Sequence, residues 1–340
     1  MFETDFGYFS DTGDEYIVTR PDTPRPWSNI LTNPRYGCIL SQAGGGFSWI
    51  GSSKLSMLTR WNQEMVGDHD GLHIFITEPA ADRHWSLSWN PCPDAGGEFS
   101  CTHGIGYSIL SRTLHGIHAR QTVFVPPDDT LEIRLVELRN ETASPRTLHV
   151  QSALTWLCDA WYDAHREFHR TFLETDWRPE SHAIFARKRR WDVPYIEGEF
   201  EHFTWPYTAF HAVSKSPSFA SGDLEEIRGR NGRADSPAAL RAPDGVGRFG
   251  RHVDSAASLR VLLTLPPGAT RRVAFLLGAD ASEKNATRLI SRYASVPAAQ
   301  TALKTTRAWW RNLLGRVSVA TPDARINTLV NHWLPYQAIA

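Results

Sequence analysis

The stretch SLRVLLTLPPGATRRVAFLLGADASEKNATRLISRY, residues 258–293, contains the change of pattern that decides the fold. Its first part predicts two apolar strands joined at a Pro-Pro-Gly turn. Its last part is typical of a helix, because apolar residues recur three and four positions apart. These residues are Ala286, Leu289, Ile290 and Tyr293. The chain therefore changes from strands to helices close to residue 282.

Upstream of this change, from about residue 15 to 280, short runs of Val, Ile, Leu, Thr and aromatic residues are separated by Pro, Gly and Asp. Such runs are typical of strands that are joined by turns. In TLEIRL, residues 130–135, apolar residues alternate with Glu132 and Arg134, which predicts a strand with one solvent-facing side. Strands and helices do not alternate, which argues against a doubly wound parallel sheet. We predict a mainly β fold built as a large antiparallel β-sandwich.

Downstream of the change, a second helix is predicted to end at Gly315, which is a typical C-cap residue. The strand-like run RVSVAT, residues 316–321, follows it. A last helix is then predicted, with the Thr321 hydroxyl as N-cap and Pro322 in its first turn. Its apolar residues share one face. They are Leu329, Val330, Trp333 and Leu334.

Composition and charge argue against several classes of protein. The formal net charge is -1 and no basic run reaches five residues, so clustered phosphate contacts of the kind that nucleic acid requires are absent. The sequence has no run of eighteen apolar residues, so no membrane span is predicted. The N-terminus does not resemble a signal peptide. The four cysteines lack CxxC spacing and are typical of reduced cytosolic thiols. We expect a cytoplasmic protein that binds neither nucleic acid nor membrane.

Aromatic residues are abundant, with 13 Trp, 9 Tyr and 16 Phe. The flat apolar face of tryptophan can stack on the C–H surface of a sugar ring. A large β core is the ordinary explanation for any single tryptophan, whereas the total favours a protein that acts on carbohydrate.

Two short motifs contain residues that are typical of ligand sites. GGGFSW, residues 44–49, lacks both the Lys-Ser/Thr and the GxGxxG pattern, so it predicts a tight β-turn rather than a phosphate loop. HREFH, residues 165–169, places two histidines four positions apart, a spacing that a metal ion can use on a helix. Its glutamate does not fit HExxH and no third ligand is evident. A polar loop and a polar-ligand site are the alternatives, and no metal ligand is assigned.

The segment GGGFSWIGSSKLSMLTRWNQEMVGDHDGLHIFITE, residues 44–78, resembles the N-terminal region of family ninety-four glycoside phosphorylases. That family includes cellobiose, cellodextrin and chitobiose phosphorylases and the C-terminal part of cyclic β-1,2-glucan synthases. The shared pattern is a Gly-rich turn, Ser-Trp, Leu-Thr-x-Trp, an acidic pair and an apolar strand. Further segments extend the resemblance, in the same order, over nearly the whole chain: WSLSWNP, GYSILSRTLHGIHARQTVFVPPDD, LEIRLVELRNETASPRTLHV, RAWWRNLLG and NHWLPYQ.

The resemblance implies a β-supersandwich, linker helices and an (α/α)6 barrel. We expect a β-sandwich domain at 1–281, a helical linker at 282–315 and, at 316–340, the first helix of a barrel that the chain otherwise lacks. In the family the barrel carries inverting phosphorolysis of a cellobiose-like β-glucoside. Inorganic phosphate is then the co-substrate, an aspartic acid protonates the leaving oxygen, and no metal or organic cofactor is needed. We therefore assign no catalytic residue here and expect the chain alone to be inactive.

The resemblance also predicts one substrate-contacting segment, LTWLCDAWYDAHREFHR, residues 154–170, near the mouth of the active site. This chain has Asp159 where the family usually has asparagine. We expect Asp159, Arg166 and His169 to bind substrate, because carboxylate and basic groups can hydrogen-bond sugar hydroxyls. Arg166 or His169 could also favour an anionic acceptor such as an aldonic acid. An exposed loop without a role is the alternative.

A non-catalytic carbohydrate-binding or interaction module is the alternative function. A self-contained module should not end in an amphipathic helix with Trp333 and Leu334 unburied, because such a patch invites a partner. The expected partners are an oligosaccharide substrate and, since family members are often homodimers, a second copy of the chain.

Overall fold

Two large sheets that face each other form the main body of the protein. In the computed structural model, which describes residues 1–62, 65–159, 172–189 and 205–340, each sheet has ten strands. The predicted large antiparallel β-sandwich is thereby confirmed. No helix among these described residues is long and apolar enough to cross a membrane.

The first sheet is antiparallel throughout. Numbered along the chain and given in spatial order, its strands are β1 (Gly7–Phe9), β2 (Glu15–Val18), β9 (Glu98–Gly104), β10 (Tyr107–Leu114), β11 (Ile117–Phe124), β12 (Leu131–Asn140), β20 (Thr270–Asp280), β16 (Thr208–Val213), β15 (Ala183–Lys188) and β14 (Leu173–Arg178). The last strand in sequence, β20, lies between β12 and β16. The sheet is therefore complete only when residues near 280 have been added.

The second sheet is antiparallel except for one short parallel pair, β17 with β18. In spatial order its strands are β18 (Gly245–Val246), β17 (Phe219–Asp223), β19 (Ser255–Leu265), β13 (Arg146–Asp159), β6 (Met57–Thr59), β5 (Gly46–Ile50), β4 (Tyr36–Ser41) and β3 (Ser28–Thr32). Two further strands, β7 (His73–Glu78) and β8 (Arg83–Ser86), form a branch that pairs with β13 through β7. The long strand β13 thus contacts β19 on one edge and both β7 and β6 on the other.

The core lies between the sheets. Trp85, Trp156 and Phe275 belong to it and are each at most 2% exposed. Fully burying one large apolar side chain contributes about 1.5–3 kcal/mol. The outer face of the first sheet is covered in turn by helices α2 (Glu283–Tyr293) and α3 (Val296–Leu314). The central strands β12, β20 and β16 of the first sheet are therefore buried on both faces.

Strand β12 shows the consequence of this double cover, and here the predicted solvent-facing side is wrong. The apolar residues of 130–135 face α2 and α3, whereas Glu132 and Arg134 point into the interior and are 0% and 4% exposed. Their side chains form an ion pair at 2.8 Å. The Ser48 hydroxyl donates to Glu132 at 2.6 Å and Arg134 donates to the Leu72 carbonyl at 2.8 Å. The charges are tolerated because each is paired and hydrogen-bonded.

The Pro-Pro-Gly turn joins two strands as predicted, but the strands belong to different sheets. β19 lies in the second sheet and β20 in the first. Gly268 has a φ of 69° and its N–H donates to the Asn140 carbonyl at 2.9 Å. This left-handed conformation favours glycine, and it allows the chain to cross from one sheet to the other.

Helices α2 and α3 agree with the sequence pattern. The four apolar residues predicted on one face of α2 are all buried. The Ser282 hydroxyl caps α2 by accepting from the Asn285 N–H at 3.2 Å, and Gly315 is the C-cap of α3, as predicted. A shorter helix, α1 (Leu224–Arg228), follows β17 and has Asp223 as its N-cap.

Residues 316–321 do not form the predicted strand. Their backbone is paired by asparagine side chains from the following helix instead of by another strand. Asn331 accepts from the Val319 N–H at 2.8 Å and donates to the Val319 carbonyl at 2.9 Å. Asn327 makes the same pair of hydrogen bonds with the backbone of Thr321, at 2.8 and 2.9 Å. The predicted N-cap is also wrong, because Asp323 caps the helix by accepting from the Arg325 N–H at 2.9 Å.

The C-terminal helix consists of α4 (Ala324–Thr328), one π-helical turn (Leu329–Trp333) and α5 (Leu334–Ile339). It is fixed to the sandwich by Trp333 and Tyr336. The Trp333 indole donates to the Gly13 carbonyl at 2.8 Å, and the Tyr336 hydroxyl donates to the Ile30 carbonyl at 2.6 Å.

The predicted apolar face of this helix is only partly buried. Leu329, Val330 and Leu334 are 44%, 37% and 53% exposed. The aromatic residues therefore fix the helix to the sandwich, while the aliphatic residues stay more than a third exposed.

Candidate functional site

The sequence-predicted site begins where β13 ends, at Asp159. In the second sheet Asp159 lies opposite Met57 of β6, and Met57 lies opposite Trp49 of β5. The register between β13 and β6 shifts between Trp156 and Asp159, which indicates a bulge. A bulge re-aims the side chains at the end of a strand. Asp159 thus lies at an irregular corner of the second sheet.

Asp159 is buried, with only 1% of its side chain exposed. Its carboxylate forms an ion pair with the ammonium group of Lys188, whose side chain is 8% exposed. Lys188 is the last residue of β15 in the first sheet, so this ion pair joins the two sheets. Burial of both charges is costly unless they stay paired. The role of Asp159 as a substrate ligand stays a prediction.

Arg166 and His169, the other two predicted ligands, lie outside the described residues, as does the whole HREFH motif. Among the residues that the structure describes, no group of three or more His, Cys, Asp or Glu side chains could hold a metal ion.

An aromatic patch lies on the outer face of the second sheet next to Asp159. We call it the outer-face cluster, and its members are Ile39, Phe47, Trp49, Met57, Trp61 and Leu157. The rings of Phe47 and Trp61 are stacked, with centroids 4.6 Å apart and planes 20° apart. The rings of Phe47 and Trp49 are 5.3 Å apart. Phe47, Met57 and Leu157 are buried, while Trp49 and Trp61 remain partly exposed.

Sequence reasoning did not identify this cluster as part of the site, although a signal was present. Phe47 and Trp49 alternate with Ser48 in β5, so they must share one face of the strand. Ser48 points to the interior, where it bonds Glu132. The sequence does not predict that Trp61, which follows β6, stacks on Phe47.

The GGGFSW turn has the predicted form. It joins β4 to β5, and the Ser41 N–H donates to the Gly45 carbonyl at 2.8 Å. Gly46 has a φ of 147°, and a Cβ atom there would collide with the Ile39 carbonyl. Only glycine fits this close approach. The turn thereby sets the position of Phe47 and Trp49, the first residues of the cluster.

The hairpin of β14 and β15, which carries Lys188, is tied to the linker helices. Arg178 and Arg187 both pair with Glu283 in the first turn of α2, the former at 3.2 Å. Arg178 also pairs with Asp176 at 3.0 Å. Asp176 also lies 3.8 Å from Arg187. Here its carboxylate is engaged in an ion-pair network between hairpin and helix.

Comparison with known proteins gives a family match over most of the chain. A family model described as "Glycosyl hydrolase 94, supersandwich domain" matches residues 14–296. N,N'-diacetylchitobiose phosphorylase of Vibrio proteolyticus is 26% identical over 337 residues, which cover 98% of this chain and 40% of that protein. Solabiose phosphorylase of Paenibacillus borealis is 25% identical over 336 residues, which cover 98% of this chain and 42% of that protein.

Cyclic beta-(1,2)-glucan synthase NdvB of Rhizobium meliloti is 29% identical over 347 residues, covering 99% of this chain and 12% of that protein. The chain thus spans about 40% of the length of the phosphorylases that it matches. Among solved structures, a bacterial glucoamylase superposes with a TM-score of 0.50 at 6% identity, covering 94% of this chain and 42% of that one. At this identity the likeness shows the fold alone.

Proposed function

Because the chain belongs to the glycosyl hydrolase 94 supersandwich family, we propose that it is the N-terminal part of a glycoside phosphorylase. The family match over residues 14–296 carries this proposal. Two phosphorylases that align with 98% of the chain support it.

The reaction we propose for the whole protein is inverting phosphorolysis of a cellobiose-like β-glucoside. Inorganic phosphate attacks the anomeric carbon from the face opposite the leaving group, and a carboxylic acid protonates the leaving oxygen. The product is an α-configured sugar 1-phosphate. The proposal assigns these groups to an (α/α)6 barrel outside the residues that the structure describes, and it requires no metal or organic cofactor. The sandwich would support the barrel and shape the mouth of the active site.

The C-terminal helix supports a contact with such a barrel. Its side chains Leu329, Val330 and Leu334 are 44%, 37% and 53% exposed, and this apolar surface is available to another domain. Apolar patches of this kind mark interaction sites. We place the barrel on this surface.

The predicted ligands Asp159, Arg166 and His169 remain part of the proposal. Arg166→Ala and His169→Ala in the whole protein should raise the KM for the acceptor sugar, because the lost groups would bond its hydroxyls. The check is synthesis from sugar 1-phosphate at varied acceptor concentration. Unchanged acceptor KM in both variants would remove this segment from the site.

The main experiment is an assay of the whole protein with inorganic phosphate and a panel of β-linked disaccharides, including cellobiose and N,N'-diacetylchitobiose. We expect one member to give an α-sugar 1-phosphate, identified by NMR of the anomeric proton, and the 340-residue chain alone to give none. Release of free sugar without phosphate, or turnover by the chain alone, would contradict the proposal.

A stand-alone carbohydrate-binding module is the second candidate, because Trp49 and Trp61 of the outer-face cluster are partly exposed. Their rings could stack on sugar faces. This candidate is favoured if the chain binds cello-oligosaccharides and a Trp61→Ala variant does not. It also requires that the whole protein turns over none of the disaccharides in the panel. A homodimer is a further part of the main proposal, and sedimentation of the whole protein tests it.

A further inference from the structure

An arginine-lined cleft lies beside helix α1, at the start of a run rich in Gly, Pro and Arg, residues 228–248. It is about 490 Å³ in volume and lies between the end of α1 and residues 248–254. We call it the Arg228 cleft. Its charged lining consists of three arginines and three carboxylates: Arg228, Arg230, Arg248, Asp223, Glu225 and Asp254. A volume of this size is typical of small-molecule sites, which range from about 300 to 1,000 Å³.

The three carboxylates of the cleft are paired with arginines other than Arg228 and Arg230. Glu225 contacts Arg248 at 3.5 Å. Asp223, whose side chain is 3% exposed, binds the Arg248 guanidinium at 2.8 Å. Asp254 pairs with Arg60 at 3.4 Å. The positive charge of Arg248 is therefore used within the protein, and the carboxylates of the cleft do not neutralise its remaining arginines.

Arg228 and Arg230 are those remaining arginines. Both are exposed, and neither has an ion pair or a side-chain hydrogen bond to any residue that the structure describes. Gly229 between them has a φ of 86°, a conformation that favours glycine. With this turn, both flanking side chains line the same cleft. Asp70, in an adjoining cavity that Arg228 also lines, accepts a hydrogen bond from the Asn62 N–H at 2.6 Å.

We propose that the Arg228 cleft binds a phosphorylated sugar. Guanidinium groups bind phosphate oxygens through two parallel hydrogen bonds, and the donors of Arg228 and Arg230 are not taken up by an ion pair with a described residue. The exposed imidazole of His252 lines the remaining space, where it can bond sugar hydroxyls. The choice of a sugar ester rests on the proposed function, which generates a sugar 1-phosphate. The phosphate contacts rest on the cleft alone.

The run supplies a matched control for this proposal. Arg233 belongs to the same Arg-Gly-rich run but does not line the cleft, and its guanidinium pairs with Asp235 at 2.6 Å. Arg228→Gln, Arg230→Gln and Arg233→Gln all change an exposed side chain, so we expect the three variants to fold like the wild type. Circular dichroism and thermal unfolding check this.

Titration calorimetry on the 340-residue chain tests the site with glucose 1-phosphate, inorganic phosphate and glucose as probes. We expect glucose 1-phosphate to bind, roughly tenfold weaker binding in Arg228→Gln and in Arg230→Gln, and unchanged binding in Arg233→Gln. Added salt should weaken binding, because the contacts are exposed charges. Inorganic phosphate should bind more weakly than glucose 1-phosphate, and glucose more weakly still.

Absence of glucose 1-phosphate binding to the wild-type chain, or equal loss in Arg233→Gln, would overturn the proposal. Equal affinities for phosphate and glucose 1-phosphate would overturn its sugar part. Failure of the proposed function is a separate result, because it is measured as phosphorolysis by the whole protein. Binding by the chain without phosphorolysis by the whole protein refutes that function and retains the cleft. Phosphorolysis without binding refutes the cleft alone.

Discussion

Two regions of the protein that contain helices are covered to different extents. Strand β12 and helices α2 and α3 form a covered region, in which both faces of the sheet are packed and Ile290 is 2% exposed. The C-terminal helix forms an open region, which contacts the sandwich through Trp333 and Tyr336 but leaves Leu334 53% exposed. Both helical segments have the apolar pattern of a packed helix. The difference indicates that α2 and α3 belong to the sandwich, whereas the open region has a face available for another domain.

The largest expected effect comes from breaking the buried ion pair of the covered region. Glu132→Ala leaves the Arg134 guanidinium buried without its carboxylate, which we expect to cost about 3–5 kcal/mol in the free energy of unfolding. Urea denaturation measures it. Glu137→Ala is the control on the same strand, because its partly exposed pair with Arg272 contributes at most about 1 kcal/mol. Similar costs for the two variants would show that β12 is not covered on its inner face.

A matched pair of isoleucines compares the two regions directly. Ile290 in α2 is 2% exposed and Ile326 in the C-terminal helix is 46% exposed. Ile290→Ala should destabilise the protein by about 2–5 kcal/mol, because it leaves a cavity in a packed interface. Ile326→Ala should change stability by less than about 0.5 kcal/mol. Equal effects, measured by denaturation of the isolated chain, would remove the distinction between covered and open regions.

Within the open region, we expect substitution of Asn331 to change the structure only near Val319. Asn331→Ala removes both side-chain hydrogen bonds to the Val319 backbone, at a cost of about 1 kcal/mol each. We expect faster hydrogen exchange of the Val319 amide and unchanged exchange in α2. Protection of Val319 in the variant equal to that in the wild type would refute this pairing.

A change of pH alters the stability of the β-sandwich through buried histidines. Burial lowers the pKa of His73 and of His103 to about 4, and that of His211 to about 3. Because each folded-state pKa lies below the unfolded value of about 6.5, the unfolded state binds more protons as pH falls. Each histidine therefore contributes its full share to the unfolding free energy only above about pH 6.5. Between about pH 7 and 5.5 the unfolding free energy falls by about 1 kcal/mol for each of them.

His103→Gln tests one of these contributions. Glutamine does not titrate, and its amide can still donate to the Trp27 carbonyl, which His103 contacts at 3.0 Å. The fall in unfolding free energy from pH 7 to 5.5 should be about 1 kcal/mol smaller in the variant. An equal or larger fall would exclude a neutral buried His103.

The sequence predicted the order of the fold because its signals are local. The period of two in β5, the turn glycines and the apolar face of α2 each depend on neighbouring residues alone. The orientation of Glu132 and Arg134 could not be predicted, since it depends on α2 and α3 covering the other face of β12 from 150 residues further along. The pairing of Val319 with Asn331 was missed because a strand-like run does not reveal that its partner is a helix side chain.

The candidate site was predictable only in part. Asp159 was selected by family resemblance, and its buried contact with Lys188 depends on how the two sheets meet. The stacking of Trp61 on Phe47 depends on the path of the chain after β6. The sequence also does not predict that Arg228 and Arg230 form no ion pair with a described residue, because Arg233 in the same run forms one with Asp235.

The most direct test of the account is Leu334→Asp, made both in the 340-residue chain and in the whole protein proposed above. In the chain alone we expect a change in unfolding free energy below about 0.5 kcal/mol, because Leu334 is 53% exposed. In the whole protein we expect a loss above about 2 kcal/mol, because the carboxylate would be buried against the barrel without a partner. A change below about 0.5 kcal/mol in both proteins would contradict the account, since the open face would then carry no domain.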